Sequence, residues 1–353
     1  MLFRSLLAVI GGSFTESILR AVATPPDILP DATAYARIIL WSLPVMFLFM
    51  LSTSITRGVG DTRTPFLGLV LSTAIGLIVT PALIRGWFGL PQLGVRSAAV
   101  AGVIGFTTTL IWLGFYLNAK RHPLAPDRLL LSHMRIDWRL LRLLLKIGIP
   151  TGIQFILISL SEIAVLSFVN SFGSQATAAY GAVNQVASYV QLPAMSIGIA
   201  ASVFGAQAIG RGHAERLGAI TRTAIALHLA ITGMLVIGAY TFSRSVITLF
   251  IESPPVVDIA QTLLHITLWS YLLFGLSAIL GGVMRSSGSV LWPTAISIFS
   301  IWAIEVPVAY GLMKWIGLDG IWIAYPVAFA TSLALQTGYY RLIWRKKQHR
   351  RLI

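Results

Sequence analysis

Thr56–Phe66 reads TRGVGDTRTPF and lies between two long apolar runs. Gly58 and Gly60 supply a helix stop, Asp61 or Thr64 an N-cap, and Pro65 the first position of a following helix. The stretch predicts a tight hinge between two helices. A shift of 228 residues brings up a weaker copy, in which Arg57 matches Arg285, Gly60 matches Gly288 and Pro65 matches Pro293. The same shift pairs Trp41-Ser42 with Trp269-Ser270, Phe14 with Phe242, Ser17 with Ser245 and Pro26 with Pro254. Beyond the hinge the offset becomes 226, pairing Pro81 with Pro307, Gly94 with Gly320 and Ala98 with Ala324. Agreement of this kind at a nearly fixed offset reads as an internal duplication.

Apolar residues make up 56% of the 353 and charged residues 11%, against about 25% charged in a soluble domain. With a mean hydropathy of +0.81, the chain reads as a polytopic all-α membrane protein. The absence of cysteine excludes disulfides, thiolate metal sites and cysteine nucleophiles. A net charge of +14 could suit nucleic acid, but the basic residues fall in short loops between apolar runs, where they set topology instead.

About ten spans are expected, near 5–22, 35–56, 65–86, 97–118, 145–170, 178–208, 218–242, 259–284, 291–313 and 320–343. The first also has a signal-peptide reading, from Arg4, an apolar core and Ala21-Val22-Ala23. Ser13, Thr15, Glu16 and Ser17 interrupt that core, and the segment matches the internal span at 231–250. Alternate loops divide the 26 Lys and Arg residues into twenty on one side and six on the other. The richer side is read as cytoplasmic, which puts both termini there. This arrangement gives an N-terminal bundle at 1–118, a basic linker at 119–144 and a C-terminal bundle at 145–353. Within the linker, Pro123, Pro126 and Asp127 oppose a continuous helix, whereas WRLLRLLLKIGIP from Trp138 is amphipathic and suits the membrane surface. The halves hold four and six spans; repeats of equal span number would be parallel, with about two helices absent before the first.

RGVGDTRTP at 57–65 and PALIRGWFGLPQLGVRSAA at 81–99 resemble the first half of a multidrug and toxic compound extrusion (MATE) transporter. GIPTGIQFILISLSEIAVLSFVNSFG at 148–173, VFGAQAIGRG at 203–212 and MRSSGSVLWP at 284–293 resemble the second half. The resemblance covers essentially the whole chain from the third family helix onward. It implies twelve helices in two bundles around a central cavity, and export of organic cations and related toxic compounds in exchange for Na⁺ or H⁺. Two departures stand out. The family's first two helices are not in this sequence, and Ser289 and Gly275 occupy places where Asp61 and another branch's acidic residue would lead one to expect a carboxylate.

Of the twelve acidic residues, Glu16, Glu162 and Glu305 lie in apolar spans, where an ionisable group is a functional candidate by default. Glu162 has no Lys or Arg within a turn or two; Ser159 shares its face and Gln154 lies two turns below. It can load a proton or hold a monovalent cation, and it matches the Glu that the family has in this helix. Glu305 precedes Pro307, so it serves either coupling or the backbone freed at a proline kink. Glu16 has Arg20 at i+4 and reads as half of a local ion pair. Tyr180, Asn184, Tyr189 and Gln191 belong to the densest polar set in a span, suited to lining a substrate cavity or to joining helices, and Gln154 and Ser159 are further candidates for that cavity. Arg57 and Arg285 are expected to cap helix ends or meet lipid phosphate. His228 and His265 lie on different spans with no second ligand at i+4, so no metal site is expected.

The leading expectation is a monomeric inner-membrane antiporter for organic cations or other small molecules, needing no cofactor beyond its coupling ion and no nucleic-acid partner. A lipid-linked oligosaccharide flippase of the same superfamily and an inactive truncated form are the alternatives. A flippase would line its cavity with Arg or Lys, and the Arg and Lys residues that fall within the expected spans lie toward their ends, none in the interior. An intramembrane enzyme would need a catalytic constellation: no HExxH and no Cys is present, and no Ser-His pair stands out at a useful spacing.

Overall fold

A computed structural model describes residues 11–21, 29–120, 122, 124 and 137–346. It divides into two units, Met1–Ile136 and Asp137–Ile353. Among the described residues every regular element is helical. Arg4, Pro26, Pro123, Pro126 and Asp127 lie outside those residues.

The first unit holds α1 (Thr15–Ala21), α2 (Leu29–Gly58), α3 (Arg63–Arg85) and α4 (Arg96–Ala119). The last three are long and apolar enough to cross a membrane. Small residues let them pack without a solvent-driven core. A side chain at Gly105 would meet the Ser72 carbonyl at 3.0 Å, and one at Gly68 would meet Thr109 at 3.1 Å. Phe49 and Phe106 close the gap between α2 and α4, ring centroids 5.1 Å apart. The expected continuous span at 5–22 is broken at Phe14, after which α1 starts as a separate short helix. The second unit breaks at the matching Phe242, between α7 (Leu217–Thr241) and α8 (Ser243–Thr248).

The hinge is present in both copies. Gly60 and Gly288 take positive φ angles of 93° and 77°, which L side chains resist. Each glycine N–H returns to the carbonyl of its matched arginine, Gly60 to Arg57 at 3.0 Å and Gly288 to Arg285 at 2.9 Å. Of the two N-cap candidates, Asp61 takes the role: its Oδ1 accepts from the N–H groups of Arg63 and Thr64, both at 3.0 Å. Helix α3 starts at Arg63, so Pro65 is its third residue and not its first. The 226 pairing is looser in three dimensions. Gly94 is a turn glycine (φ 53°), whereas Gly320 packs inside a helix against the Leu312 backbone, and Gly317 (φ 74°) makes the matching turn.

The second unit opens on α5 (Trp138–Asn170), one unbroken helix that takes in the amphipathic stretch expected at the surface and the last residues of the expected linker. Asp137 caps it by accepting from the Arg139 and Leu140 N–H groups. Next come α6 (Ser174–Gly210), α7, α8, then α9 (Pro254–Thr267) and α10 (Ser270–Ser286), a pair bent by 45°. The expected span at 259–284 is therefore a corner, not a rod. Helices α6 and α10 touch backbone to backbone, because Gly282 leaves space that the Gly198 carbonyl fills. α11 (Leu291–Phe299) runs into a π-helical turn at Ser300–Glu305, followed by α12 (Val306–Ile316) and α13 (Leu318–Leu342). Pro307 has no N–H to return to Ala303, and the chain opens into the wider turn just before it. Among the described residues, eight helices are long and apolar enough to span, or nine counting the bent pair.

Candidate functional site

A cavity of about 400 Å³ lies inside the second unit, walled by α5, α6, α10, α11 with its π turn, and α13. The π turn brings Glu305 to it, and Trp302 pins that turn to α5 by donating Nε1–H to the Leu157 carbonyl at 3.1 Å. Glu305 is 6% exposed and has no hydrogen-bond or ion-pair partner among the described residues. Gln154, Ser202, Ser277, Ser300, Ser332 and Gln336 add polar edges. Ser277 and Ser332 bond each other at 2.8 Å, and Gln336 donates to the Pro293 carbonyl at 3.1 Å. Ser300 Oγ and Gln336 Oε1 are buried without a partner among the described residues.

Arg285 departs from expectation. It lines this cavity, and its guanidinium lies back over Gly281, 3.6 Å from where a Cβ there would stand. It caps no carbonyl among the described residues, whereas Arg57 does engage a helix end, donating to the Thr53 carbonyl at 3.2 Å and to Ser54. A cavity free of basic side chains, as the sequence suggested, is thus corrected.

Glu162 is exposed on the surface of its unit, one turn beyond the cavity-lining Ile158, with Ser159 exposed beside it. Tyr180 is buried: its ring stacks on Trp322 at 5.7 Å and its hydroxyl meets that of Tyr325 at 3.0 Å. Asn184 and Tyr189 are exposed and Gln191 is half-buried. Of the residues that the sequence nominated for substrate contact, Gln154 alone faces the cavity; Ser159, Tyr180, Asn184, Tyr189 and Gln191 do not line it. The cavity's serines and Gln336 escaped notice because single small polar residues in apolar helices have no periodic signature.

His228 and His265 do not meet. His228 is fully buried, its Nε2 3.0 Å from the Leu272 carbonyl and its Nδ1 3.0 Å from Thr232 Oγ1. Its ring fills the space that a side chain at Gly275 would need. His265 stacks on Tyr240 at 5.2 Å. No cluster of three metal-ligating residues occurs among the described residues. Glu16 and Arg20 form the expected exposed pair at 2.7 Å.

The profile of one family, described as MatE, matches residues 1–82 and 150–311, most of the chain. The chain belongs to the MatE family. A probable multidrug resistance protein of Bacillus subtilis (strain 168), YoeA, is 50% identical over 350 residues, 99% of this MatE chain and 76% of its own length. The multidrug export protein MepA of Staphylococcus haemolyticus is 24% identical, over 90% of this chain and 68% of its own. The Vibrio cholerae MATE transporter VcmN, crystallised as a point mutant, superposes with a TM-score of 0.88 at 18% identity, covering 98% of this chain and 77% of that one. An outward-facing multidrug resistance MATE transporter of the MOP superfamily gives 0.88 at 19% identity, over 97% and 75%. These likenesses carry the all-helical, multi-pass membrane fold and the efflux-transporter family.

Proposed function

We propose that this MatE protein is a cation-coupled antiporter that exports small organic compounds, organic cations among them, from the cytoplasm across the inner membrane by alternating access. The observation that carries the reading is Glu305, a buried carboxyl without a partner among the described residues, facing a cavity among spanning helices. A carboxyl so placed is held there by what it exchanges, H⁺ or Na⁺. Glu162 is the group the ion meets first and Glu305 the deeper one. Gln154 contributes a hydrogen-bonding edge to the cavity, and Ser159, Asn184, Tyr189 and Gln191 belong to the cargo path on the unit's exposed face. The excess of basic residues in alternate loops supports a topology with both termini in the cytoplasm.

The test is drug accumulation in a pump-deficient bacterial host expressing wild type, Glu162→Gln or Glu305→Gln at matched membrane levels. Each variant is expected to lose export and the ion dependence of export. Unchanged efflux in both would remove the assigned roles.

A further inference from the structure

The first turns of α5 carry three cations that take no part in the cavity beside Glu305. Arg139, Arg142 and Lys146 recur at i, i+3 and i+7, so they share one face of the helix. That face lines a groove of about 800 Å³, whose lining continues through Ile149 and Pro150 and takes in Leu291, the first residue of α11. All three basic residues are exposed, and none of their side chains has a hydrogen-bond or ion-pair partner among the described residues. No acidic residue lines the groove. Asp137, the nearest carboxylate along the chain, is taken up in capping the helix, where it accepts from the Arg139 and Leu140 N–H groups.

Helix length sets the depth of this groove in the bilayer. At 33 residues α5 is about 50 Å long, whereas the hydrocarbon layer is about 30 Å thick. The surplus falls at its start, because Arg139, Arg142 and Lys146 are all the basic residues that the helix has. They therefore stand at headgroup level, with Ile149 next toward the acyl chains. Trp138 and Trp292, both exposed and each next to a residue of the groove, are of the type favoured at that interface.

A groove cationic at its outer end and aliphatic at its inner end is complementary to a lipid with a negative headgroup. We propose that it binds one anionic phospholipid, the phosphodiester held by Arg139, Arg142 and Lys146 and the upper part of an acyl chain laid along Ile149 and Leu291. A zwitterionic lipid would bring its own ammonium against the three cations, and a free phosphate would leave the aliphatic end uncovered. A lipid seated there touches α5 and the start of α11 together, and so joins α5 to the segment just past the Gly288 hinge. Binding involves neither Glu305 nor an ion gradient, and is independent of the antiport reading.

The experiment titrates the full chain, purified in detergent, with dioleoyl phosphatidylglycerol or dioleoyl phosphatidylcholine and counts bound lipid by native mass spectrometry. The first phosphatidylglycerol is expected to bind roughly tenfold or more tightly than the first phosphatidylcholine, the scale of one or two basic contacts at a membrane surface. Arg139→Gln, Arg142→Gln and Lys146→Gln together should abolish that preference. Arg211→Gln, Arg216→Gln and Arg222→Gln together, which remove as much charge from exposed positions outside the groove, should preserve it. Ile149→Trp keeps the three cations and crowds the aliphatic end, so it should weaken the first phosphatidylglycerol; an unchanged affinity would seat the lipid elsewhere and overturn the proposal. Glycerol 3-phosphate in large excess should displace no lipid, and displacement would make this a site for free phosphate instead. Equal affinity for the two lipids on wild type overturns the proposal without any variant. So does a preference lost equally in both triple variants, the mark of diffuse charge.

Discussion

Asp61 shows how one side chain fixes a hinge. Partial burial pushes its carboxyl up, but the Thr64 side chain and the backbone N–H groups of Thr64 and Arg63 outweigh this and hold it below its ordinary value of 3.8; His122, 3.7 Å away, adds to the lowering when protonated. A folded-state value below the unfolded one means that the capping contribution is present above the ordinary value and fades as pH falls through the folded value. Asp61→Ala is expected to destabilise the detergent-solubilised protein by about 1 kcal/mol, read as a lower unfolding temperature, with the deficit shrinking in strong acid. Ser289, the matched residue of the second hinge, has no such cap. His228 offers a sharper test of packing. Gly275→Ala drives a methyl into its ring and should cost about 1–3 kcal/mol of thermal stability, whereas His228→Ala should make the same glycine substitution nearly neutral. That Glu305 is an acidic residue set within a span was legible from its type and its apolar surroundings. That Arg285 turns inward was not, because a basic residue at a span's end reads the same whichever way its long side chain lies.

Among the elements, the π turn does the most to shape the cavity. It inserts extra backbone into the span, and the face presented after it is rotated relative to a regular helix. Deleting Ile304 should let Ser300–Val306 close into an α-helix and swing Glu305 by about 100° off its present bearing. Export should then fall to the level of Glu305→Gln while membrane insertion stays normal; retained export would detach function from the turn. Pro307 signalled a disturbance in the sequence, but its form depends on the bond from Trp302 to Leu157, a contact between residues 145 apart that no local pattern encodes. The break at Phe14 is a different kind of omission. The pairing of Phe14 with Phe242 was visible at the 228 shift, yet hydropathy alone runs straight through both, since a break between two apolar segments leaves no polar gap. The corner between α9 and α10 was hidden in the same way. Glycines at 60 and 288 were readable because a tight reversal demands left-handed backbone. Gly60→Ala and Gly288→Ala should each lower stability by about 1 kcal/mol or more, by thermal unfolding, in parallel if the two hinges share one geometry.

For the whole molecule, the duplication and the loop charges fix most of what sequence can tell. Each half repeats the order of short helix, long apolar stretch, glycine hinge and next span. The excess of basic residues on one side predicts that a fluorescent protein fused after Ile353 will mature in the cytoplasm, and that alkaline phosphatase at the same point will be inactive. The reverse result would invert the topology and with it the direction of transport. The surface of the cavity stayed out of reach of the sequence because it is assembled from five segments spread over nearly 190 positions, from Thr151 to Gln336.

The contact of Gly198 with Gly282 sets a limit on how that chamber can breathe. Two main chains resting on each other leave no side-chain cushion to compress, and prising them apart would open a slot too narrow for an acyl tail and too apolar for water. Any expansion on loading is therefore expected away from this seam, at the widened turn bearing Glu305, where the single bond from Trp302 to Leu157 would have to yield. Transport would then begin as a flexing at the proline end of that helix, with the glycine seam serving as its fulcrum.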